Sequence, residues 1–194
     1  MTYVLFHGSF DSYNQIKEFW LPELSKSKNK VVFPKFSINT WKEISDGGPN
    51  YSPKKQTKDI WLKEFKPYYD RIKNEKNLIL IGHSSGPIFI LHVLQKYKLK
   101  INSAIFICPF LNPLSKPAWQ VKLINKSYYY DHFDFKLLRS LCPKSYVIYG
   151  TDDPYVETEN TLAFANKMGS KIISIEKGGH LNYKGSFKFI NEYL

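Results

Sequence analysis

The sequence predicts an α/β fold in three layers, α/β/α: about six mostly parallel strands with helices on both faces. Two observations carry the prediction. Short apolar runs recur along the chain, and helical patterns separate them. The runs lie at 3–6, 31–33, 78–81, 103–107, 146–149 and 172–175. Each is continuously apolar rather than alternating, as strands buried on both faces of a parallel sheet require. Helical patterns occupy 14–25, 57–72, 85–97, 133–141, 158–168 and 185–194. Regular alternation of the two implies right-handed crossovers and a doubly wound sheet, whose ligand site lies at the carboxyl ends of the strands.

Two segments break the rhythm: 34–56, with Gly47-Gly48-Pro49, and 109–132, with three prolines and the run Tyr128-Tyr129-Tyr130. They read as lids or binding loops, or else as plain surface loops. The aromatics Trp119, Tyr128, Tyr129, Tyr130 and Phe133 either line an apolar acyl pocket or pack against the sheet.

A chain of 194 residues suits one domain, 1–194, that buries its core without disulfides or metals. Hydrophobic residues at 43% exclude a disordered composition. The start, Met1-Thr2-Tyr3-Val4-Leu5-Phe6, has no basic leader, and no apolar run approaches the roughly 20 residues of a membrane span. A soluble, cytoplasmic protein without a membrane partner is expected. Cys108 and Cys142 lack Cys-x-x-Cys spacing and are expected as two reduced thiols. The net charge of +11 raises the question of nucleic acid, but Arg71 and Arg139 are the only arginines and the lysines are spread along the chain. That distribution fits a solvated surface and argues against nucleic acid, whose recognition favours the forked guanidinium.

The most informative stretch is Leu78-Ile79-Leu80-Ile81-Gly82-His83-Ser84-Ser85-Gly86, followed by the apolar run 88–94. It reads as strand, tight turn and helix. In a Gly-x-Ser-x-Gly turn of this kind the serine takes a strained conformation that lifts its hydroxyl above the sheet. The helix start also presents backbone N–H groups to an anion, the N–H of Ser85 first among them.

A serine hydroxyl is a poor nucleophile alone and needs a base and an orienting acid. After the strand at 146–149 comes Gly150-Thr151-Asp152-Asp153-Pro154, and after that at 172–175 comes Glu176-Lys177-Gly178-Gly179-His180. The order Ser, Asp, His, each at its own strand end, is that of a nucleophile-elbow triad. His180 is the base on this criterion. His92 lies within an apolar helix, His83 is a variable position of the turn, and His132 lacks a strand-end context. His7 belongs to the turn His7-Gly8-Ser9-Phe10 after the first strand, whose N–H groups can complete an oxyanion hole. Asp152 and Asp153 both remain candidates for the acid, since either could instead cap a helix or close an Asx-turn.

These residues resemble the small α/β-hydrolases of the retinoblastoma-binding-protein-9 family. The resemblance rests on Ile81-Gly82-His83-Ser84-Ser85-Gly86, on Ile60-Trp61-Leu62 in the preceding helix, on Gly150-Thr151-Asp152-Asp153-Pro154, and on Gly179-His180. It implies the α/β-hydrolase fold with about six strands and a minimal lid, and a serine hydrolase activity. It also implies that the second aspartate, Asp153, is the acid. No cofactor and no metal are expected. The first loop departs from the family pattern, with Ser9 and Phe10 after Gly8 in place of further glycines. The N–H of Ser9 is the first candidate for the second oxyanion donor and that of Phe10 the second. The expected partner is a small-molecule ester or amide. The competing reading is a binding protein that keeps the fold without turnover.

Overall fold

The computed structural model describes residues 1–26, 29–129 and 132–194. Among the described residues six strands form one sheet: β1 (Thr2–Phe6), β2 (Lys30–Val32), β3 (Leu78–His83), β4 (Ser103–Ile107), β5 (Ser145–Gly150) and β6 (Lys171–Ile175). Their order is β2-β1-β3-β4-β5-β6, and each neighbouring pair is parallel. All carboxyl ends therefore share one edge.

Side chains alternate across a strand, and here each set finds its own helical layer. Val4, Phe6, Leu78, Leu80, Ala104, Phe106 and Val147 face one core. It is closed by α4 (Lys58–Ile72), α5 (Ser85–Tyr97), α7 (Phe135–Leu141) and α8 (Thr158–Met168). Tyr3, Leu5, Ile79, Ile81, Ile105, Ile107 and Ile148 face the other. That core is closed by α1 (Ser12–Phe19), α2 (Leu21–Ser25) and α9 (Lys188–Asn191). Burial on both faces explains why the central strands read as unbroken apolar runs. β6 is an edge strand, and Ile172 is 41% exposed.

Some boundaries differ from the sequence expectation. The pattern at 14–25 is two helices broken at Trp20, with Pro22 in the first turn of the second. Segment 34–56 contains α3 (Trp41–Gly47), started by a reciprocal capping box between Thr40 and Glu43. Segment 109–132 contains α6 (Trp119–Asn125) and a 3₁₀ turn at Lys126–Tyr128. Of the aromatics in and just after it, Tyr128 is buried against Trp61 and Phe89, and Phe133 packs on His92. They are packing residues. Tyr130 lies outside the described residues. Cys108 and Cys142 are free and buried.

Candidate active site

Ser84 follows β3 and caps α5 with φ 59° and ψ −109°, a conformation costly for any residue with a side chain. The turn is anchored by the Ser84 N–H, which donates to Ile107 O at 2.9 Å. Gly8 of the first loop lies so close that a Cβ there would stand 2.7 Å from Ser84 Cβ. A glycine is therefore required for β1 to deliver its loop to the elbow.

The acid and histidine loops follow β5 and β6. His180 Nδ1 lies 2.7 Å from Asp153 Oδ2, and both side chains are buried. With Nδ1–H donating to the carboxylate, Nε2 is left as the acceptor of the ring. Asp153 Oδ1 accepts from the N–H groups of Tyr155 and Val156 at 2.9 and 3.1 Å. Burial works against the Asp153 charge, but the His180 hydrogen bond, the His180 charge and the two N–H donors outweigh it and hold the carboxyl below its ordinary range. Asp152 is exposed and accepts from the Gly179 N–H at 2.7 Å. It braces the histidine loop and does not meet the ring.

Ser84 and His180 line one cavity of about 550 Å³. Among the described residues no hydrogen bond joins the Ser84 hydroxyl to the imidazole. In ligand-free sites such contacts are often long and tighten when substrate binds. Apolar walls come from Phe10, Ile38, Trp41, Leu114, Val121 and Val156, and polar ones from Asn14, Gln15, Asn39 and Asn182. The two excursions thus both contribute walls, α3 through Trp41 and α6 through Val121.

The N–H of Ser85 stands at the first position of α5, where a helix has no internal acceptor for it. Among the described residues the N–H groups of Ser9 and Phe10 also have no acceptor. Ser9 Oγ is held in place: it accepts from Gln56 Nε2 at 2.6 Å and donates to Asn125 Oδ1 at 3.1 Å. Phe10 is turned into the left-handed region, with φ 52°. Three backbone N–H groups, of Ser9, Phe10 and Ser85, are thus left without a hydrogen-bond acceptor among the described residues.

Other polar residues of the site carried no sequence signal. The Cys108 thiol is fully buried beside Asp153, and burial, then the Asp153 charge, push it well above its ordinary value. It stays a neutral thiol. Cys108, Asp153 and His180 bring one ligand-type atom each within 4.8 Å of one another. Asp153 and His180 are already engaged at hydrogen-bond distance, shorter than the roughly 3.3 Å separating two ligands on a tetrahedral zinc. As arranged, Asp153 and His180 are joined by a hydrogen bond rather than spaced as metal ligands. His83 was expected only as a variable position of the turn, yet its ring is buried and bonded at both nitrogens.

Comparisons with known proteins agree with this architecture. A sequence model described as serine hydrolase matches residues 42–193. No curated protein matches the sequence. Among solved structures, the ydeN gene product of B. subtilis is similar with a TM-score of 0.69 at 19% identity, covering 92% of this chain and 87% of that one. The carboxylesterase CesB of Bacillus subtilis is similar with a TM-score of 0.58 at 14% identity, covering 98% and 81%. Est1E of Butyrivibrio proteoclasticus, solved with ferulic acid, is similar with a TM-score of 0.65 at 13% identity, covering 98% and 85%. At these identities the likeness is one of fold, the α/β-hydrolase fold. The family match spans most of the chain and includes the elbow, the acid loop and the histidine loop, so the chain belongs to the serine hydrolase family.

Proposed function

We propose that the protein cleaves an ester or small amide through an acyl-enzyme on Ser84, with His180 as general base and Asp153 as its orienting carboxylate. The observation that carries this reading is the buried 2.7 Å pair of His180 Nδ1 and Asp153, whose histidine lines the same cavity as Ser84.

Ser84 Oγ attacks the carbonyl carbon while His180 Nε2 takes the hydroxyl proton. Asp153 stabilises the imidazolium, and the oxyanion accepts from the Ser85 N–H and from that of Ser9 or Phe10. Each such donor contributes about 3 kcal/mol to the barrier reduction. The bond to the leaving group then breaks as Nε2 returns the proton to it. Water, deprotonated by the same nitrogen, releases the acid and regenerates Ser84.

The test is labelling by a fluorophosphonate, which bonds only to an activated serine, with Ser84→Ala as the control. Labelling at Ser84, lost in the variant, is the expected result. A panel of p-nitrophenyl esters of increasing chain length and aminoacyl naphthylamides then separates ester from amide preference. On an accepted substrate Ser84→Ala lowers kcat by about 10⁶. An unlabelled Ser84 together with a silent panel would favour the fold-retaining binding protein.

A further inference from the structure

We propose that His83 is a positioning residue, the centre of a one-directional hydrogen-bond chain that ties the first loop to the backbone of His180 and so aims the imidazole at Ser84. The inference rests on the reading of His180 as base.

The chain has three links. The Gly8 N–H donates to Ser12 Oγ at 2.8 Å, Ser12 Oγ lies 2.9 Å from His83 Nδ1, and His83 Nε2 lies 2.9 Å from His180 O. Chemistry sets the direction of each. A carbonyl only accepts, so Nε2 carries the ring proton; Nδ1 of the neutral ring then accepts, and the Ser12 hydroxyl, whose oxygen is already taken by Gly8, supplies its own hydrogen. Ser12 and His83 are only 5% and 2% exposed, although both also line the cavity. Burial, then the His180 charge, press the His83 ring down to about 3, which keeps it neutral and the direction of the chain unchanged near neutrality.

The His180 backbone is where such a tie matters. Gly179 and Leu181 on either side have φ of 54° and 50°, so the residue sits between two left-handed turns. The His83 ring is also wedged edge-on against Trp20 at 5.3 Å and against the His180 ring at 4.7 Å. Trp20 is fixed in turn by its Nε1–H donating to Ser186 Oγ at 2.9 Å. Nothing in the elbow itself demands histidine here. Its ring does what the neighbouring strand ends cannot, linking the β1 loop to the β6 loop across the foot of the serine.

The experiment measures fluorophosphonate inactivation of the full chain, resolved into a maximal rate and a half-saturating concentration. The variants are His83→Phe, His83→Gln, Ser12→Ala and the double variant Ser12→Ala/His83→Phe. Phenylalanine fills the ring space without hydrogen bonds, while a glutamine amide can still donate to the His180 carbonyl. His83→Phe is expected to lower the maximal rate about 10- to 100-fold with half-saturation unchanged, as a misaimed base does. His83→Gln is expected to recover most of that loss. Ser12→Ala is expected to give a smaller fall, and the double variant to be no slower than His83→Phe. Wild-type rates in His83→Phe, no rescue by His83→Gln, or losses that multiply in the double variant would overturn the proposal. If His83→Phe does not fold by circular dichroism, Ser12→Ala and His83→Gln decide: equal wild-type rates in both refute the chain. A labelled, fully active His180→Ala would instead refute the reading of His180 as base.

Discussion

Asp152 and Asp153 are adjacent in the chain and opposite in setting. Asp153 is buried on His180 Nδ1, while Asp152 faces solvent and holds the Gly179 N–H. An asparagine at 153 would turn an amide N–H toward Nδ1 and force the ring proton onto Nε2, the nitrogen that accepts in the proposed mechanism. Asp153→Asn is therefore expected to lower kcat by about 10⁴ on an accepted ester. Asp152→Asn keeps an oxygen for the Gly179 N–H, and its kcat is expected within a few-fold of wild type. The reverse ranking would show the acid to be Asp152. The dipeptide alone did not distinguish the two, because both are carboxylates on one strand-end loop. Only the packing of that loop under β6 decides which one points inward.

Each chemistry-bearing residue sits on a loop that a strand delivers, so loop-to-loop packing is the relevant unit at the scale of elements. β5 ends in Gly150, and a Cβ there would lie 2.2 Å from Gly179 O and 2.5 Å from Gly179 N. Because the obstacle is backbone, Gly150→Ala must push the histidine loop away from the acid loop. Overpacking of this kind costs about 1–3 kcal/mol, and a displacement near 1 Å costs up to about 10² in rate. The expected result is a lowered melting temperature together with at least a tenfold loss of kcat on an accepted ester. Wild-type kcat in a folded Gly150→Ala would show that the two loops need not touch. The glycines at 150, 178 and 179 were visible in the sequence as turn residues, but their mutual contact was not. α3 was half legible. Its Thr40-x-x-Glu43 box is a start signal, yet seven residues ending at Gly47 and followed by Gly48-Pro49 give too little apolar periodicity to register as a helix.

Across the whole molecule, His7, His83 and His92 are buried neutral rings. Burial is the leading cause in each, and it depresses His7 to about 4, His83 to about 3 and His92 to about 4 from an ordinary 6.5. The Gly8 and Tyr128 carbonyls oppose the shift at His7 and His92 without reversing it. Since the folded state refuses protons that the unfolded chain accepts below 6.5, this contribution is complete above that pH and is lost as the pH falls toward 4. Each ring adds a slope of about 1.4 kcal/mol per pH unit within that window. The urea midpoint is expected to be clearly lower at pH 5.0 than at pH 7.5, and an unchanged midpoint would contradict the burial of these rings as neutral species. By itself the sequence determined the alternation of strand and helix, the parallel sheet and the serine turn, because those follow from periodicity and from local backbone demands. The tertiary structure decided which carboxylate meets His180, that the aromatics near Tyr128 pack rather than line the cavity, and that His83 joins two loops. Those relations link residues such as Ser12 and His83, 71 positions apart, and no local pattern encodes a partner that only the parallel sheet brings near.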